Sequence, residues 1–502
     1  MALETKRGSH SAGLHLMAAS TDQHTYISLP THLAQVSYTK SFVCIFIPVT
    51  SNINMSPLST AAVALAACGL VSAAKVCTNV TVPVNIMARQ GVFDVPEIAS
   101  NYDATVFALN FTKQGTNFTD VALRGYQTVQ GMYNISAKYC KPDNDTSANP
   151  TVQILSHGIG FDKSYWDLPY NNYNYSYIDV AIANGFHTVS IDRFGIGNSS
   201  HADPLNVVQA PAEVSATYEI TTMLRAGTFP SVPTKFNKTV HVGHSFGSAQ
   251  TYLLSALHPN ITDGIVLTGF SMNGTWLAET LADWNLHLAR LNQPLRFGNQ
   301  TLKSTVGSWG NWRQYMVGSL VNTVEIGLGY VGIDLSSSDI WQEIATTEVG
   351  DLINGWNQTV AQLNYPNGYL TWSDFTANVF AFLLPNYFDI GIGIFGEMTK
   401  QPVTPGEIFT LANGAPMINS FKGPVQVFTG ENDNIYCGGD CLATGGAAAS
   451  IPAAVSKNFP NASAFEAYIQ PNTGHGINFH YNSTAGYEVI QNWLSSHGLG
   501  SS

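Results

Sequence analysis

Apolar positions along this chain follow two rhythms. Short apolar runs recur at Thr151-Val152-Gln153-Ile154-Leu155, Thr188-Val189-Ser190-Ile191, Lys238-Thr239-Val240-His241-Val242, Gly264-Ile265-Val266-Leu267-Thr268, Val425-Gln426-Val427-Phe428 and Ala464-Phe465-Glu466-Ala467-Tyr468-Ile469. Runs of this length, bounded by turn residues, read as strands buried on both faces. Between them lie stretches with helical spacing, at residues 177–184, 212–226, from 248 onward and at 485–495. Strands alternating with helices predict an α/β chain with a mostly parallel sheet flanked by helices.

Two regions break that rhythm. From Val80 to Ser136 the chain reads as β-rich, with candidate strands at 81–86, 105–111 and 130–140, and Lys141 to Pro150 reads as a polar loop. After Gly269 the alternation stops for about 130 residues. Apolar positions at i, i+3 and i+4 predict a helix over Trp276–Leu291 and another over Trp372–Leu384, started by Ser373 or Asp374. Seven of the nine tryptophans fall here (Trp276, Trp284, Trp309, Trp312, Trp341, Trp356 and Trp372), so this stretch reads as an inserted, mainly helical cap. Most of these indoles are expected to fill the cap's own core, with one or two lining a pocket. The expected division is a first core segment at 75–274, the cap at 275–404 and a second core segment at 405–502. A two-piece helix, limited by Pro452, is expected over 447–458.

Composition narrows the classes. Only 11% of residues are charged, 45% are hydrophobic and the formal net charge is −12. Binding to nucleic acid or to an anionic membrane surface needs clustered Lys and Arg, and none occurs. A small molecule is the expected partner. Oligomeric state is left open.

The first residues carry targeting information. Met55-Ser56-Pro57-Leu58-Ser59 precedes an apolar run from Thr60 to Val71, and Ser72-Ala73-Ala74 supplies small residues for cleavage. This reads as a secretory signal over 55–74, although its head lacks Lys or Arg. Residues 1–54 are polar and without periodicity, and read as a non-native or disordered extension before a true start at Met55. Their one apolar run, Phe42 to Val49, is too short to span a bilayer, so no stable membrane span is expected.

Cysteine and sequon counts agree with export. Cys44 and Cys68 precede the expected mature start, leaving Cys77, Cys140, Cys437 and Cys441. An even number in an exported chain suggests two disulfides with three possible connectivities. Cys77–Cys140 and Cys437–Cys441 are preferred, because the latter closes a short Gly-rich loop. The C-x3-C spacing without a second pair or a histidine cluster is poor for zinc. N-x-S/T sequons stand at Asn79, Asn110, Asn117, Asn134, Asn144, Asn174, Asn198, Asn237, Asn260, Asn273, Asn299, Asn357, Asn461 and Asn482, a density that suits an extracellular glycoprotein.

The candidate chemistry centres on Gly243-His244-Ser245-Phe246-Gly247, between an apolar run and a helical stretch. A strand, a G-x-S-x-G turn and a helix make a nucleophile elbow. The flanking glycines allow a tight turn, and the helix N-terminus favours a developing anion. Alone the pattern is weak, since it arises by chance in roughly one chain in six of this length. A serine also needs a base, commonly histidine, and a carboxylate to orient it. Asp433 follows one predicted strand and His475 the next, in the order Ser245, Asp433, His475.

With these residues in place the chain resembles an α/β-hydrolase. The resemblance is carried by His157-Gly158-Ile159-Gly160, Asp192-x-x-Gly195-x-Gly197-x-Ser199, Gly243-x-Ser245-x-Gly247, Gly430-x-x-Asp433 and Gly474-His475-Gly476, and the chain is similar in particular to secreted, capped enzymes of filamentous fungi. It spans about residues 80–500. It implies Ser245 as nucleophile, His475 as general base and Asp433 as its orienting acid, with the N–H groups of Phe246 and Ile159 as the oxyanion hole. Glu431 and Asp440 compete with Asp433, and His480 with His475. His244 is expected to pack, His157 and Gly158 to shape the oxyanion turn, and Asp192 to anchor its loop through backbone hydrogen bonds. The expected activity is a secreted serine hydrolase acting on a carboxylic ester or lactone, without cofactor or metal. Acyl transfer, or lyase or haloperoxidase chemistry on the same triad, remains open, as does a catalytically silent binding protein.

Overall fold

The computed structural model describes residues 74–298, 363–411 and 416–502. The proposed extension, the secretory signal up to residue 73, Asn299, Asn357, Trp309, Trp312, Trp341 and Trp356 lie outside the described residues.

Eight strands form one sheet: β1 (Lys75–Phe93), β2 (Leu123–Pro142), β3 (Thr151–Ser156), β4 (His187–Ile191), β5 (Lys238–His244), β6 (Gly264–Thr268), β7 (Val425–Gly430) and β8 (Phe465–Gln470). Their spatial order is β1-β2-β4-β3-β5-β6-β7-β8. β2 runs antiparallel to both β1 and β4, and every other pairing is parallel. This is the strand order of the α/β-hydrolase fold, as expected.

Burial explains why the parallel strands were readable. Every residue of β3, β4, β6 and β7 is buried, so their sequences are near-continuous apolar runs. Each buried Val, Ile or Leu contributes roughly 1.5–3 kcal/mol. β1 instead alternates. Val80, Val82, Val84, Ile86 and Ala88 are buried, whereas Met87 and, on β2, Met132 face outward. This is the pattern of an antiparallel hairpin with one wet face. Its strands are 19 and 20 residues long, far longer than the separate short strands expected. The disulfide Cys77–Cys140 joins directly paired positions of this hairpin, and Cys437–Cys441 closes the loop after β7, matching the preferred connectivity.

The strand expected at 105–111 is a helix, α1 (Asn101–Phe111). The Ser100 hydroxyl accepts from the Asp103 N–H, and the Asp103 carboxylate takes the Ser100 hydroxyl and the Ala99 N–H. This cap nucleates the turn against the β-forming tendency of Val106 and Phe107. Ala104 and Phe107, three positions apart, are the buried face.

Helices α2 (Tyr177–Ala183), α3 (Ala210–Ala226) and α4 (Phe246–Leu257) follow β3, β4 and β5. Between β6 and β7 the described residues include α5 (Leu277–Asp283), α6 (Phe375–Phe382), α7 (Ile390–Thr399) and α8 (Pro405–Thr410). The helix expected over Trp276–Leu291 stops at Asp283. Asn285 takes a left-handed φ of 42°, and His287–Leu288 pairs with Leu370–Thr371. α6 does start at an Asp374 cap, whose carboxylate accepts from the Thr376 N–H at 2.9 Å. Of the two-piece helix expected at 447–458, only a 3₁₀ stretch, Pro452–Asn458, forms. The chain closes with α9 (Ser483–Ser496).

Candidate active site

The serine sits where β5 turns into α4. Ser245 has φ 55° and ψ −117°, a conformation costing a non-glycine residue about 1–3 kcal/mol. The turn fits only without neighbouring side chains. A Cβ at Gly243 would stand 2.3 Å from the Gly247 oxygen, and one at Gly247 would stand 2.2 Å from the Ser156 oxygen. The glycines are therefore required by close backbone approach. Ser245 is 8% exposed. It lines a cleft with Ile159 and Phe246, so the structure brings together the serine and both residues expected to supply oxyanion donors. Phe246 is the first residue of α4, where an N–H has no acceptor within the helix.

His475 Nδ1 lies 2.7 Å from Asp433 Oδ2. Both side chains are fully buried. The other carboxylate oxygen of Asp433 accepts from the Tyr436 N–H at 2.8 Å, which fixes its plane. A carboxylate at Nδ1 leaves that nitrogen protonated and makes Nε2 the acceptor. His475 Nε2 is buried and has no hydrogen-bond partner among the described residues. The competing acids are engaged elsewhere: Glu431 reaches the Asn472 N–H, and Asp440 accepts from the Leu442 N–H.

Both ring nitrogens of His480 are engaged by backbone groups. Its Nε2 accepts from the N–H groups of Gly474 and Leu384, each at 3.0 Å, and its Nδ1 donates to the Gly476 oxygen at 3.0 Å. Burial brings its pKa down to about 4, so it stays neutral and latches the loop that carries His475. Its place five residues after His475 was visible in the sequence, but its role as a latch was not.

His244 packs, as expected. It stacks on Tyr165 with ring centroids 4.5 Å apart and lies 4.9 Å from the His475 ring. Burial, then the neighbouring His475 and His157, hold its pKa well below the ordinary histidine value. His157 donates from Nδ1 to the Gly158 oxygen at 2.8 Å and accepts the Arg193 N–H at Nε2, 3.1 Å away. It thus shapes the turn carrying Ile159. Burial and the Arg193 charge bring its pKa down to about 3. Gly158 passes close to the serine, since a Cβ there would stand 2.9 Å from Ser245 Cβ. Asp192 accepts from the N–H groups of Lys163 and Asn198 and pairs with Lys163 Nζ at 2.7 Å. The backbone anchoring was expected, whereas the Lys163 ion pair was not.

The cleft walls are apolar. α5 supplies Leu277 and Leu281, followed by Trp284, and α6 supplies Phe382, whose ring is 5.8 Å from that of His475. A second apolar cavity, lined by Ala249, Leu253 and Phe270, shares Phe246, Leu277, Leu411 and Tyr436 with the first. Of the tryptophans described between β6 and β7, Trp284 lines the cleft. Trp372 is buried behind it, and Trp276 packs over the Gly438 position. Among the described residues no cluster of His, Cys, Asp or Glu could hold a metal ion, and no helix is long and apolar enough to cross a membrane.

A scan of protein-family models and a search of curated proteins found no match. Similar folds occur among solved structures. A thermophilic esterase from Thermogutta terrifontis is 12% identical with a TM-score of 0.37, covering 74% of this chain and 96% of its own. Epoxide Hydrolase A from Mycobacterium thermoresistibile is 13% identical with a TM-score of 0.37, covering 72% and 95%. Est1E from Butyrivibrio proteoclasticus, solved with ferulic acid, is 11% identical with a TM-score of 0.36, covering 73% and 96%. Likeness at this level does not bear on activity. The chain has the α/β-hydrolase fold by its own strand order.

Proposed function

We propose that this chain is an exported serine hydrolase that cleaves carboxylic esters or lactones of moderately apolar substrates. The observation that carries the reading is the buried Asp433–His475 pair, with His475 Nε2 unengaged, on the loops after β7 and β8, in a fold that puts Ser245 on the elbow after β5.

In this reading the Ser245 oxygen attacks the acyl carbon and its proton passes to His475 Nε2. Asp433 holds the ring in place and stabilises the imidazolium. The carbonyl oxygen, now an anion, is met by the N–H groups of Ile159 and Phe246. Collapse breaks the ester bond, and the leaving alcohol takes the proton from His475. Water then repeats the sequence, giving its proton to His475 and releasing the acid from Ser245. The apolar walls support a substrate with a hydrocarbon acyl or alcohol part. A series of p-nitrophenyl esters of graded chain length, run beside lactones and peptides, tests this. Ester or lactone turnover is expected, and cleavage of peptides alone contradicts it.

Export is supported by the two disulfides and by sequon placement. Asn79, Asn110, Asn117, Asn134, Asn144, Asn174, Asn198, Asn237, Asn260 and Asn461 are exposed, and Asn273 and Asn482 are half-buried. N-terminal sequencing of the protein from culture medium is expected to read from near Lys75, where β1 begins. A start at Ala2 contradicts the proposed signal.

A further inference from the structure

Arg193 is fully buried, and the triad gives it no role. Its Nη1 lies 2.7 Å from Glu213 Oε2 on α3 and 2.5 Å from Glu407 Oε1 on α8. Its Nε and Nη2 have no hydrogen-bond partner among the described residues. The guanidinium instead lies over the Phe246 ring, 4.8 Å from its centroid. Its backbone N–H is the group that His157 Nε2 accepts. One residue thus touches both segments that carry the proposed oxyanion donors.

Resting on the reading of Ser245 as nucleophile, we infer that Arg193 is a positioning residue for the oxyanion hole. Its backbone sets the His157–Ile159 turn, its guanidinium braces the Phe246 side chain at the start of α4, and the charge on the Glu213–Arg193–Glu407 cluster governs how well a developing oxyanion is held.

One guanidinium facing two carboxylates carries a net charge of −1 when both are ionised and zero when one holds a proton. In this dry setting a net negative charge beside Phe246 opposes an oxyanion at its N–H. Two buried carboxylates on one guanidinium favour holding one proton between them, and the inference assigns it to Glu213. Burial raises its pKa, Glu407 adds to the rise and Arg193 opposes it, leaving it at about 8. The other groups facing the cluster are Gln250 of α4, Tyr369 of the insertion and, beside Arg193, His157. Glu407 is held in place by its second oxygen, which accepts the Thr404 N–H at 2.7 Å. α8 comes after the insertion in the chain, so this bracket also ties the oxyanion turn to the segment following it.

The pH sign follows from linkage. Glu213 has a folded pKa above its unfolded value of 4.5. Its contribution to stability is therefore complete below about 4.5 and is lost as pH rises through about 8. Catalysis should weaken as pH rises through about 8.

The test is the rate of Ser245 labelling by a fluorophosphonate between pH 7 and 9, resolved into maximal rate and probe affinity. In the wild type the maximal rate is expected to fall about tenfold while affinity is unchanged, a partial loss of the hundredfold or more that one oxyanion donor contributes. In Glu213→Gln, and in Glu407→Gln where Arg193 pairs one carboxylate alone, the fall is expected to shrink to less than about twofold. The drop in melting temperature from pH 6 to pH 9 should also shrink in Glu213→Gln. An unchanged pH profile in labelled, folded Glu213→Gln overturns the positioning role and leaves Ser245 as nucleophile intact. A wild type that takes no label at any pH overturns the nucleophile and the positioning role together.

Discussion

Ser245→Ala is expected to lower ester turnover by about 10⁴- to 10⁶-fold while leaving the fold intact. The substitution removes one oxygen from a side chain that is 8% exposed, and the elbow geometry rests on Gly243 and Gly247 rather than on that hydroxyl. The strained φ of 55° is shared by serine and alanine, so the melting temperature should change little. In the proposed mechanism, any remaining rate would come from the Ile159 and Phe246 N–H groups polarising the carbonyl for direct attack by water. A comparison of kcat and melting temperature checks this. Turnover within tenfold of the wild type means the reaction does not pass through Ser245.

Asp433→Asn is expected to cost about 10⁴-fold in kcat with KM nearly unchanged. The mechanism is a tautomer change. Asp433 uses one oxygen for the Tyr436 N–H and the other for His475 Nδ1. An asparagine keeps its oxygen on the Tyr436 N–H and turns its NH₂ toward His475. Nδ1 must then accept, the ring proton moves to Nε2, and the nitrogen that should take the serine proton is blocked. The substrate cleft is formed by other residues, which is why KM should hold. A loss below tenfold would place the orienting acid elsewhere, with Glu431 and Asp440 the alternatives to test.

The legible and illegible parts of the sequence divide along physical lines. β3 to β7 were readable because both faces of each strand are buried and the glycines at their ends are forced by close approach. The motif residues were readable because each follows a strand, so Ser245, Asp433 and His475 could be ordered without coordinates. Three-dimensional proximity was not readable. Only the structure shows that His480 spends both nitrogens on backbone groups while His475 leaves Nε2 unengaged. Arg193 stood beside Asp192 within a recognised motif, yet its partners Glu213 and Glu407 are 20 and 214 residues away. In a chain with 11% charged residues, an Asp192-Arg193 pair directly after an apolar run was the available hint. The helix α1 was misread because Val106 and Phe107 favour strands, although the Ser100–Asp103 cap was present in the sequence. The β1–β2 hairpin was read as separate short strands because its wet face interrupts each apolar run.

The central claim is that Ser245 becomes covalently acylated through a base held by Asp433. Fluorophosphonate treatment of the folded protein, followed by proteolysis and mass mapping of the adduct, tests it most directly. One adduct per chain on the peptide containing Ser245, absent from Ser245→Ala and strongly slowed in Asp433→Asn, is the result this account predicts. No adduct, or an adduct that persists in Ser245→Ala, would contradict it.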